Sequence, residues 1–225
     1  MANNSSAGFD SVISEAWATL QDANHKAIAY NLRASQITKW KRLRDFVSLG
    51  VAPGLLMATT VWQNEPLRNF LVIFSGICSL SSWLWFLFGF SYNWDNQLRV
   101  SLDIPLKLTE IVAEMKENIE IFTNARNSNN IQIAEDAILK LRNLMQRMNS
   151  LRQEIQRDQV YASPWMNLIA TQQTMQTCSA KCGACYQMWI PRSEIFNSDK
   201  AKMFLKKAKK NKLKGICEFC GQRLP

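Results

Sequence analysis

The sequence predicts an all-α membrane protein whose C-terminal end carries a small cysteine-bearing module. Three observations lead there: a long uncharged apolar run, helical spacing of apolar residues on both sides of it, and paired cysteines crowded near the end. The chain has 225 residues, enough for one ordinary domain or two small modules. Its composition is split, with the long apolar runs in the first hundred residues and most of the excess positive charge in the last fifty.

Residues 70–90 read FLVIFSGICSLSSWLWFLFGF, 21 residues without a charge. At 1.5 Å rise per residue such a helix is roughly 30 Å long, about the thickness of a bilayer's hydrocarbon core. The competing reading is a fully buried helix of a soluble protein, but so short a chain rarely builds a core that wraps a helix on every side. The preceding run, residues 46–62, is interrupted by Gly50, Pro53 and Gly54. A proline removes one backbone bond, which membrane helices tolerate when neighbours satisfy the freed group. Together the runs predict a two-helix transmembrane hairpin over residues 45–94, with Trp40, Trp62 and Trp94 near the interfaces. Lys39, Lys41, Arg42 and Arg44 precede the first run, whereas the loop between the runs offers only Glu65 and Arg68. Basic flanks stay inside, so both termini are expected in the cytoplasm. The N-terminal stretch has no basic region followed by an apolar one, hence no expected cleavable signal peptide.

Residues 1–44 read as a cytoplasmic amphipathic helix running into the first span. Residues 95–165 read as a cytoplasmic helical hairpin or coiled coil, broken by the turn-forming NARNSNN of residues 124–130. Its first arm carries the stripe Ile104, Leu108, Ile111, Met115 and Phe122. Its second carries Ala137, Leu141, Leu144, Met148, Leu151 and Ile155 at spacings of four and three, a seam for the neighbouring helix or for a second copy.

Five of six cysteines fall in the last 48 residues; the sixth, Cys78, lies in the apolar run. Cys182 and Cys185, then Cys217 and Cys220, form two CxxC pairs 31 residues apart. Four thiolates presented by two tight turns make a closed tetrahedral site for structural zinc. This predicts a zinc-ribbon-like module over residues 175–225. Cys178 is a possible substitute ligand but reads better as a free thiol beside the site. A dithiol redox pair is the rival reading, weakened by the second pair and by the lack of a βαβ pattern.

Between the pairs stand Lys200, Lys202, Lys206, Lys207, Lys209, Lys210, Lys212 and Lys214. They suit an anionic surface, lipid ahead of nucleic acid, although a solvated basic segment is the bland alternative. No phosphate-cradling glycine loop, nucleophile elbow or HExxH occurs, and the lone His25 reads as a surface residue. The sequence therefore gives no support for an enzyme.

The run EAWATLQDANHKAIAYNLRASQITKWKRLRDFVSLGVAPGLL, then two spans, FGFSYNWDNQL and further helices resembles the SLATT family of two-span membrane proteins. The paired CxxC motifs are similar to those of its mobile-element-associated subgroup, although the pairs of that subgroup stand much closer together. The resemblance implies a membrane effector of a prokaryotic conflict or anti-phage defence system, oligomerising to perturb or permeabilise the membrane. Small residues such as Gly50, Gly54, Gly76 and Ser79 would let helices of several copies approach. The alternative is a membrane scaffold or adaptor whose zinc module docks a protein or anionic lipid, a layout shared with the lunapark proteins.

Overall fold

The computed structural model describes residues 3–60, 65–91, 94–157, 162–182, 184–187, 197–209, 216–217 and 219–222. Six helices account for most of them: α1 (Asn3–Thr60), α2 (Glu65–Ser91), α3 (Trp94–Asn127), α4 (Ile131–Arg157), α5 (Pro164–Cys178) and α6 (Ser198–Lys209). Among the described residues there is no strand, only single bridge residues at Lys181 and Ile216. The chain divides into two units, Met1–Arg33 with Ser101–Pro225, and Ala34–Val100.

The first unit is a helical bundle. Arg147 of α4 pairs with Glu114 and Glu110 of α3, and Lys107 pairs with Glu154. Residue numbers rise along one helix as they fall along the other, so α3 and α4 are antiparallel. Both sequence stripes are buried in full. The start of α1 lies along the pair: Phe9 meets Phe122 edge-on at 6.3 Å between ring centroids, Asp10 pairs with Arg126, and Asp22 accepts from Arg152. Its buried face is built of small residues, Ala16, Ala23 and Ala27, around Leu20 and Tyr30. Small side chains let helices approach closely at little entropic cost.

The NARNSNN break is a chain reversal with both helix ends capped. Asn129 takes the left-handed conformation at φ 53°, and the Asn130 N–H reaches back to the Ala125 carbonyl. The Asn130 side chain then accepts from the Ile133 N–H, capping the start of α4.

Helix α5, which periodicity left unassigned, begins with Pro164 at its first turn and ends at Ser179 in the left-handed region. It packs against α1 through His25, whose Nε2 lies 3.3 Å from both the Asn167 carbonyl and the Thr171 hydroxyl. Leu168 and Ile169 of α5 bury Ala201 of α6, with Leu32, Trp165, Phe204 and Leu205 closing the cluster.

In the second unit, α1 continues through Gly50, Pro53 and Gly54 to Thr60, so the proline does not end the helix. Trp62 lies outside the described residues. Helix α2 contains the whole 21-residue uncharged run. Every bulky apolar side chain described between Phe70 and Leu87 is 42–64 % exposed, whereas Ser75 is 4 % exposed. Over the described residues, no helix is long and apolar enough to cross a membrane. The side chains at positions 71, 78, 82, 85, 86 and 88–90 of the run lie outside that description.

Candidate metal centre

The two CxxC pairs fold into knuckles of the same shape. In the first, the Tyr186 N–H donates to the Cys182 carbonyl at 2.8 Å and the Cys182 N–H to the Gln187 carbonyl at 2.9 Å. In the second, Gly221 donates to Cys217 and Cys217 to Gln222, both at 2.8 Å. The equivalent residues Tyr186 and Gly221 both take positive φ, 58° and 76°. Glycine adopts that conformation freely; tyrosine does so at a steric cost of about 1 kcal/mol, here on an exposed turn. The sequence carried this repeat: each pair is followed two residues later by glutamine, KCGACYQ and ICEFCGQ.

The knuckles bring the sulfurs of Cys182, Cys185, Cys217 and Cys220 within 4.8 Å of one another. The Cys182 and Cys217 sulfurs are 3.9 Å apart, those of Cys185 and Cys220 3.6 Å. A tetrahedron with Zn–S bonds of about 2.3 Å has edges of roughly 3.8 Å. The four cysteines could thus hold a metal ion. All four are free thiols, at spacings far longer than a disulfide bond.

Cys182, Cys217 and Cys220 are buried. Burial pushes the Cys220 thiol well up, and its neighbouring thiols add to the shift; burial likewise raises Cys185. Burial also opposes ionisation of Cys182, but the N–H groups of Cys185 and Ala184 and the adjacent thiols pull it below the ordinary thiol value. Cys182 therefore gives up its proton more readily than an ordinary thiol, and a cation bound among the four sulfurs would favour the thiolate form of its ligands.

The fold supports the site from behind. Gln172 of α5, itself buried, donates from Nε2 to the Cys220 carbonyl at 2.8 Å, and Met175 packs among the cysteines. Neither was legible beforehand, because α5 itself lacks a clear apolar period. Cys178, which the sequence favoured as a free thiol over a substitute ligand, is not in the cluster: it ends α5 and accepts from Asn24 Nδ2 at 3.8 Å. Burial raises its thiol. Cys78 lies outside the residues whose side chains are described.

Of the lysines, Lys200, Lys202, Lys206 and Lys207 are exposed on α6. The side chain of Lys209 and all of Lys210, Lys212 and Lys214 lie outside the described residues. Lys202 sits 5.2 Å over the Trp165 ring, a cation–π contact tying α6 to α5. His25 is not the surface residue expected: it is half-buried, and with Asp22, Thr171, Thr174, Lys181 and Phe219 it lines a cleft of about 590 Å³ beside the first knuckle.

Comparison with family models, with curated proteins and with solved structures finds no match. The chemistry of the donor set must speak alone. Four sulfurs in a tetrahedron suit zinc or iron, and a closed set leaves no coordination position for a substrate.

Proposed function

We propose that the chain is an integral membrane protein and works as a membrane effector rather than an enzyme, in the manner of the SLATT proteins it resembles. In this reading the end of α1 and α2 form the hairpin, both termini face the cytoplasm, and structural zinc closes the C-terminal module. Several copies would assemble through the hairpins and permeabilise the bilayer as part of a prokaryotic defence system.

One observation carries the reading: the large apolar side chains described in α2 are exposed, the reverse of a helix in water. An exposed apolar surface of this kind marks a partner or lipid. The uncharged length of 21 residues matches a bilayer.

The experiment is reconstitution into vesicles followed by extraction at alkaline pH. The expected result is retention in the membrane, with a discrete assembly of four or more chains in nanodiscs, about one zinc per chain, and conductance above that of protein-free vesicles. Full release by alkaline extraction would sink the membrane reading. Retention without conductance, in a monomer or dimer, would favour the scaffold alternative. That alternative draws support from Tyr186 and Phe219, two exposed aromatics on the tight turns of the knuckles, where a protein could dock.

A further inference from the structure

The lysine cluster is the largest feature that the metal site and the hairpin leave unused. Residues 198–215 hold eight lysines and one acid, Asp199, so this segment carries +7 of the chain's net +9. Charge of this kind is a local device and not a property of the whole protein.

Helix α6 gives the device a defined face. Asn197 caps it, its side chain accepting from the Lys200 N–H at 2.8 Å. One side of the helix is committed to the bundle through Ala201, Phe204, Leu205 and Ala208. The opposite side presents Met203, with Lys200 three residues before it and Lys206 and Lys207 three and four after. At that spacing the four side chains are neighbours on one helix surface. Met203 is 58 % exposed at the centre of the cationic patch.

We propose that this face of α6 docks on an anionic lipid surface, the lysines contacting headgroup phosphates while Met203 enters the headgroup–acyl boundary. An apolar side chain ringed by cations fits an interface that is anionic outside and apolar beneath. Nucleic acid would use the lysines but gains little from a thioether there. Stacking on unpaired bases needs an aromatic side chain, and the described outward face of α6 has none; Trp165 lies under Lys202. The contact does not depend on the hairpin, since a chain in water could dock by the same face.

The test uses the full chain in nanodiscs of phosphatidylcholine alone or with about 30 mol% phosphatidylglycerol, an anionic load that supports polybasic attraction. Acetylation rates of Lys200, Lys206 and Lys207 are read by mass spectrometry against Lys140, an exposed lysine of α4. The expected result is at least about threefold slower modification of the α6 lysines in the anionic discs, Lys140 unchanged, and loss of protection in roughly 0.5 M salt. Met203→Ser should weaken that protection while leaving the helix content and metal content as they were. Equal rates in both discs would overturn the proposal. Protection by duplex DNA with none from anionic discs would overturn it in favour of nucleic acid. A chain that does not insert is mixed with the same discs and read in the same way, so a failed hairpin and a failed α6 contact register separately.

Discussion

At the scale of single residues, His25 shows how burial turns a titratable group into a pH-dependent joint. Burial lowers its pKa below 6.5; the Asn167 carbonyl and the Asp22 carboxylate oppose the shift, and Lys26 adds to it. At neutral pH the ring is therefore held in its uncharged form in the fold. With a folded value below the unfolded one, the unfolded chain takes up more protons in the window between them. The joint's contribution is complete above pH 6.5 and is lost as the pH falls from there through the depressed value. The melting temperature should decline across that window, and His25→Gln should flatten the decline even if it lowers the plateau. A slope unchanged by the substitution would assign the pH dependence elsewhere. Asp22 follows at lower pH. Burial raises its carboxyl, but hydrogen bonds and charges from Lys26 and Arg152 outweigh this, leaving it below 3.8. Its stabilisation is thus present above that value and disappears only in acid.

Among elements, apolar packing holds α3 to α4, while the ion pairs along their edge contribute little. Leu141 is fully buried in the seam, whereas Lys107 and Glu154 are each about half exposed. Leu141→Ala should cost about 3 kcal/mol, through lost burial and the cavity left behind. Glu154→Gln should change stability by no more than about 0.5 kcal/mol, because an exposed pair in water gains little over its hydration. Chemical denaturation of the two variants checks both values, and comparable losses would mean that the pairs, not the seam, hold the hairpin. Helix α5 behaves differently. Its mixed surface lets Leu168 and Ile169 face α6 while Gln172 and Met175 face the cysteines. It joins the bundle to the metal site, which explains why no single apolar stripe announces it.

For the molecule as a whole, the metal and the bundle should be separable. The four cysteines belong to two short knuckles that cannot bury an apolar core of their own, so an ion bound there would help to order them. The bundle rests instead on α1, α3 and α4, whose buried residues owe nothing to the cysteines. Removing metal with a chelator should expose the four thiols to alkylation while far-ultraviolet circular dichroism falls only slightly. At most α6, 12 residues long, and the knuckles are then at risk. Collapse of the helical signal on chelation would mean that the knuckles hold the bundle together.

Some of this was legible from one dimension. The stripes of α3 and α4 could be read because each helix buries one continuous face, and burial of one face leaves a period in the sequence. The four clustered cysteines could be read as candidate ligands because a tight turn that aims two thiolates at one ion forces a fixed spacing. The tertiary structure alone decided the rest. It placed His25 against α5, excluded Cys178 from the cysteine cluster, set Gln172 behind Cys220, and turned Met203 outward among the lysines. These are pairings between distant parts of the chain. Each depends on which side chains happen to meet once the helices pack, and a contact made by one or two residues leaves no period in either sequence.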